Sequence, residues 1–147
     1  MLWLPEGLTL HDALTQAFAA RGARTGAFHL LGGTLAVAAY HVAVPHAGSQ
    51  RAVEYGEANL IEGGARIVRA TGSFGERVGG GPLLHIHASL SDAAGRGHGG
   101  HINPELCVVG AGGVRAILML AVGFHQVADE ETGFSLFFPN RGVPYHA

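Results

Sequence analysis

The chain has 147 residues, enough for one domain with a single core, and 48% hydrophobic with 14% charged content excludes a disordered polymer. Nine arginines and no lysines stand against eleven acids, a net charge of −2, and no basic cluster marks a phosphate-neutralising surface. The lone Cys107 excludes an intramolecular disulfide, and no apolar run approaches the roughly 20 residues that span a bilayer.

Met1-Leu2-Trp3-Leu4-Pro5 lacks the charged start of a signal peptide, so the cytoplasm is the expected compartment and no membrane partner is expected. Residues 9–21 read as the one helix. Thr9 is its N-cap with Asp12 three residues on, Leu10, Leu14, Ala17 and Phe18 form an apolar stripe, and Gly22 offers a stop. His11 lies off that stripe. Strand periodicity follows over Ala27–Leu31, Thr34–Val44, Arg51–Ile61, Ala65–Thr71, Leu83–Ser89, Leu106–Val109, Val114–Gly123 and Gly133–Phe138. Breaks are expected at Gly32-Gly33, Pro45–Ser49, Gly63-Gly64, Gly79–Pro82, Gly110–Gly113 and Val127–Thr132. One helix followed by seven or eight short-linked strands predicts an α+β fold: a mainly antiparallel, partly closed β-sheet with one N-terminal helix packed on it. Residues 1–138 form the single domain of this reading, and residues 139–147 a C-terminal surface tail.

Chemistry concentrates in Leu83–Pro104, LLHIHASLSDAAGRGHGGHINP, which holds four of the ten histidines. His85 and His87 are two apart in an apolar run. In a strand both imidazoles therefore share a face, with Cα atoms roughly 6–7 Å apart. Ser91–Gly95 is turn-rich, and Gly99-Gly100-His101 brings back a third imidazole if the chain folds as a hairpin. Paired glycines there allow a tight turn or a close backbone approach. Three neutral imidazoles with an open fourth position suit zinc or a similar divalent metal. The same three side chains also suit a purely structural role in a core or subunit interface.

The string His85-Ile86-His87-Ala88-Ser89-Leu90-Ser91-Asp92, then Gly95, then Gly99-Gly100-His101, resembles the signature of the plants-and-prokaryotes-conserved (PPC) domain family. Gly7–Leu10, Leu31–Leu35 and Glu130–Gly133 fall in family order around it, so the resemblance extends over about residues 5–138. It implies a compact domain, usually a homotrimer, in which His85, His87 and His101 hold a metal. Bacterial members commonly carry the label of putative DNA-binding proteins, and in plants the domain accompanies an AT-hook. The resemblance implies a binding or regulatory module rather than an enzyme, with DNA, another protein or a small acidic ligand as its partner. The only hook-like stretch here, Arg141-Gly142-Val143-Pro144, has valine in place of the second arginine.

More remotely, the histidine pattern resembles the zinc site of acetolactate decarboxylases. That likeness implies a metal-dependent lyase acting on a small keto or hydroxy acid, with Arg69 or Arg115 holding its carboxylate. An arginine and a carboxylate beside the open metal position are what such a lyase requires. His98 is a candidate fourth ligand or proton shuttle, and Asn103 and Glu105 are candidates for a bond supporting a ligand or for acid–base work. His29, His41, His46, Glu57 and Glu62 read as structural or solvated, although His41 sits where folding can turn it toward the site. Gly95-Arg96-Gly97-His98-Gly99-Gly100 matches G-x-G-x-x-G, but Pro104 and Gly110 leave no helix for a dinucleotide to cap.

Overall fold

The computed structural model describes residues 1–45, 53–77, 79–120, 124–130 and 134–139. In chain order these form β1 (Leu2–Leu4), α1 (Leu10–Ala19), β2 (Gly26–His41), β3 (Ala43–Pro45), β4 (Val53–Tyr55), β5 (Asn59–Ile61) and β6 (Ala65–Glu76). β7 (Pro82–Ser91), β8 (Gly97–Ile102), β9 (Val108–Leu120), β10 (Phe124–Ala128) and β11 (Ser135–Pro139) follow. Of the described residues 8% are helical and 63% lie in strands, so the α+β expectation is met.

The helix forms where its cap and stripe place it. Thr9 Oγ1 accepts the Asp12 backbone N–H at 3.0 Å, satisfying one orphan donor of the first turn. The Asp12 carboxylate pairs with His11 Nδ1 at 3.1 Å instead of closing a reciprocal box. Leu10, Ala13, Leu14, Ala17 and Phe18 are buried against the sheet. Phe18 stacks on Phe74 with ring centroids 4.4 Å apart and meets Phe28 edge-on at 6.3 Å. Truncating Phe18 to alanine would remove about 3–5 kcal/mol.

The main sheet runs β1-β9-β2-β8-β7-β6-β10-β11, antiparallel throughout except for the β10–β6 contact. β2 is its spine. Its first half lies between β9 and β6, and its last residues pair with β8 at Tyr40↔Ile102 and His41↔His101. The sheet thus curls back on β2 without closing into a barrel. A separate ribbon of β3 and β4 stands beside it.

Several expected breaks are absorbed into longer strands. Gly32 (φ 141°) and Gly33 (φ 123°) carry register shifts against β9, so they form a bulged bend inside β2 instead of ending it. Gly110–Gly113 likewise lies within β9. β6 continues five residues past Thr71 through Gly72-Ser73-Phe74-Gly75-Glu76, a stretch of poor strand propensity held by pairing with β7 on one side and β2 on the other. The first strand, β1, is short and pairs with β9. β11 runs to Pro139, and the rest of the expected tail, residues 140–147, lies outside the described residues.

Alternation sorts the two faces of the sheet. On β7, Leu84, Ile86 and Leu90 are buried toward the helix, whereas His85, His87 and Ser89 lie on the other side. Across β6 and β2 that second face continues through Thr71, Ser73, His29 and Ala27 to Ile117 and Met119 of β9. Among the described residues, no helix is long and apolar enough to cross a membrane.

Candidate metal centre

The three predicted histidines meet on the helix-free face. His87 of β7 is the direct cross-strand partner of His101 of β8, and His101 is in turn the partner of His41 of β2. His85 lies two residues before His87 and so shares its face. Ring centroids are 4.9 Å apart for His85–His87, 4.8 Å for His85–His101 and 5.5 Å for His87–His101. The Nε2 atoms of His85 and His87 lie 3.1 Å apart. That is close to the roughly 3.3 Å edge of a tetrahedron with metal–nitrogen bonds of about 2.05 Å.

The glycines before His101 make the meeting feasible through close approach, not through a turn. A Cβ on Gly99 would lie 2.5 Å from the Ala88 carbonyl oxygen, and one on Gly100 2.4 Å from that of His41. Gly100 also adopts φ 150°, a conformation that side-chain-bearing residues rarely enter. β8 is therefore squeezed between β7 and β2, which sets His101 between His87 and His41.

The hairpin that returns β8 is tied by Asp92. Its Oδ1 accepts the backbone N–H groups of Ala94 and Arg96, both at 2.9 Å, and its Oδ2 accepts from Arg96 Nε at 2.7 Å and from His98 Nε2 at 3.1 Å. The Arg96 backbone N–H, the His98 bond and the Arg96 guanidinium hold this carboxyl well below the usual range. His98 is paired with Leu90, on the helix side, and its other nitrogen lies 3.4 Å from the Tyr40 hydroxyl. It is thus committed to the turn and not brought to the trio.

Burial favours the neutral form of His101 and His85. Withdrawal from water, followed by the charges of His85, His87 and His41, pushes His101 down to about 4. Withdrawal from water and then His87 lower His85 as well. Neutral imidazole is the ligating form. His101 Nδ1 is a buried nitrogen with no hydrogen-bond partner among the described residues. An orphaned imidazole nitrogen beside two further imidazoles fits a divalent cation by donor chemistry. The donor atoms do not converge on a single point: among the described residues no group of three histidine, cysteine, aspartate or glutamate side chains stands in ligating arrangement.

The surroundings separate the other candidates. His41 donates from Nδ1 to the Gly56 carbonyl at 2.9 Å and lies 3.4 Å from Asn103 Nδ2, so its ring stands beside the trio with both nitrogens engaged. Asn103 thus contacts His41, while Glu105 pairs with Arg77 at the surface. Glu57 and Glu62 are exposed. His29 lies two strands from His87 across Thr71, about 10 Å away. Arg69 is exposed on the histidine face and shares a separate hollow with His87, whereas Arg115 belongs to β9, beyond β2 and β6. His46, Glu131, Thr132 and Gly133 lie outside the described residues.

Residues without a sequence signal of their own complete the site. Tyr55 of β4 stacks on His101, centroids 4.6 Å apart and planes 23° apart. Phe134, just before β11, meets Tyr55 at 6.2 Å. Together with Leu83, Leu136 and Phe137 they wall a cleft of about 480 Å³ whose floor is His85, His87 and His101. The nearest thing to a signal is the run Phe134-Ser135-Leu136-Phe137-Phe138, an apolar segment in a hairpin with no core of its own.

Fold and site together define a class: a small α+β domain whose curled sheet carries a helix on one face and a histidine trio on the other. The chain belongs to the Plants and Prokaryotes Conserved (PCC) domain family, whose model matches residues 1–119. Similar solved structures include a putative DNA-binding protein from Ralstonia eutropha JMP134, with a TM-score of 0.74 and 19% identity over 97% of this chain and 90% of that one. A plant- and prokaryote-conserved protein from Pyrococcus horikoshii has a TM-score of 0.71 and 20% identity over 93% and 88%. A metal-containing protein from Archaeoglobus fulgidus has a TM-score of 0.68 and 20% identity over 93% and 90%. Compared with curated proteins, the chain finds no significant match.

Proposed function

We propose that the protein is a divalent-metal-holding binding module, with zinc on His85, His87 and His101, that works as a homotrimer in the cytoplasm. One observation carries the metal: three imidazoles gather on one sheet face, with the buried Nδ1 of His101 left without a partner among the described residues. When bound, the metal supplies a Lewis-acidic anchor for a ligand at its open position. The chain's own residues set the rest. The Asp92-tied hairpin orients His101, Tyr55 covers its ring, and the cleft walls hold back water. The structural relative from Archaeoglobus fulgidus is itself called metal-containing, which supports the reading.

The homotrimer is supported by the uncovered apolar side chains on the helix-free face. Ile117 is 37% exposed and Met119 42%, in line with His29 and Ala27. Sedimentation analysis tests it, and Ile117→Asp should release monomers. The lyase alternative calls for an arginine and a carboxylate beside the metal, and the described lining of this cleft has neither. DNA enters through the solved relative from Ralstonia eutropha, which is described as a putative DNA-binding protein. Duplex binding that weakens with salt along a clear log–log slope would support it, and no binding at low salt would remove it.

The deciding experiment is the metal content of protein purified without added metal or an affinity tag, beside the His85→Ala/His87→Ala/His101→Ala variant. Near-stoichiometric metal in the parent and none in the folded variant supports the centre. Metal-free parent protein overturns it.

A further inference from the structure

The cleft above the trio has a second half that no metal needs. The geometry points to its occupant as a small carboxylic acid with an aromatic or branched aliphatic tail, its carboxylate at the trio and its tail between the two hairpins. This inference rests on the metal reading above and specifies what the metal would hold.

Three observations carry it. The cleft, about 480 Å³, falls in the range of small-molecule sites, and Tyr55 and Phe134 meet across it, so it does not run on as a groove for an extended chain. Its walls away from the histidines are mainly Leu83, Phe134, Leu136 and Phe137, which offer contact area to an apolar tail, with Gln126 and Ser135 as uncharged polar neighbours. Apart from the histidines, no acidic or basic side chain is among its described lining, so an anion meets no like charge and has no partner for its own charge except the metal-bearing floor. A cationic ligand would meet the metal's charge with no carboxylate to offset it.

Phe137 is seated there by the sheet itself. A Cβ on Gly75 of β6 would lie 2.5 Å from Phe137 Cε1, so the missing side chain is what admits the ring. Gly75 pairs with Leu83, two residues before His85, which puts the tail wall in line with the histidine row. The β10–β11 hairpin that carries this wall lies beyond residues 1–119 matched by the family model.

The test is calorimetric titration of zinc-loaded protein, its zinc measured in the same sample, with 3-phenylpropionate, acetate and 3-phenylpropanol. Burying the ring should make 3-phenylpropionate bind roughly tenfold to a hundredfold more tightly than acetate. It should also exceed the alcohol, and the advantage over the alcohol should vanish when zinc is stripped. Leu136→Asp, at a 40% exposed position, should weaken 3-phenylpropionate and leave zinc content unchanged. Full zinc occupancy with equal affinity for acetate and 3-phenylpropionate overturns the ligand class and leaves the metal centre standing. Protein that retains no zinc overturns both.

Discussion

His87 and His101 face each other as a direct pair across the β7–β8 ladder, ring centroids 5.5 Å apart, although 13 residues of chain and a full turn separate them. Their meeting depends on backbone register, so the centre is sensitive to anything that shifts β8 relative to β7. Metal should report that dependence. A cation bound only to the folded state stabilises it by about 2.7 kcal/mol when present at a hundred times its dissociation constant. Chelator should therefore lower the melting midpoint of the parent in scanning calorimetry, and His101→Ala should melt at one temperature with or without chelator.

Gly100 is the tightest point of that register. A methyl group there would sit 2.4 Å from the His41 carbonyl oxygen, on backbone at φ 150°. Backbone cannot move aside as a flexible side chain can. Gly100→Ala should cost at least about 2 kcal/mol in urea unfolding. Gly97→Ala, where an added methyl meets open space, should cost far less. Equal losses in the two variants would show that strand propensity, not the approach to His41, governs the segment.

This crowding also explains what the sequence does and does not disclose. His85 and His87 are legible because they interrupt an apolar strand at a period of two, and Thr9 with the Leu10–Phe18 stripe marks the helix. β8 does not read as a strand, since glycine at 97, 99 and 100 argues against one by propensity. Only contact with Ala88 and His41 makes glycine the residue that fits. Gly32 and Gly33 mislead for the same reason, as a bend inside β2 reads locally as an end. Tyr55, Phe134 and Phe137 come from segments 30 or more residues from the trio, and no local pattern ties them to it. Such walls emerge only from the pairing of distant strands.

Protonation should act on stability in a defined window. His101 is held down to about 4, against about 6.5 in an unfolded chain. Between these values the unfolded state takes up a proton that the folded state refuses. Stability of the metal-free protein should therefore fall as pH drops from about 6.5 to about 4. Restoring pH 7 returns it, and His101→Asn should flatten the slope in that interval. Because the folded imidazole is already neutral near pH 6, metal should also persist to lower pH than on an ordinary histidine. Metal content across a pH series, measured after dialysis, checks this.

Asp92 offers the test that separates the hairpin from the ligands. Its side chain is 4% exposed and touches none of the three histidines, yet it collects four donors from Ala94, Arg96 and His98. With its carboxyl held below the usual range, the stabilisation it gives is present above about pH 4 and is lost below it. Asp92→Ala leaves two backbone N–H groups of the turn without their acceptor and frees His98 from its anchor. The expected result is a lower unfolding midpoint together with weaker metal binding, because β8 then holds His101 less firmly opposite His87. Arg96→Ala, which removes a 77% exposed partner but spares the backbone bonds, should leave metal affinity nearly unchanged. Asp92→Ala protein that is destabilised yet binds metal as the parent does would mean that the trio is positioned by the squeeze of β8 between β7 and β2 alone.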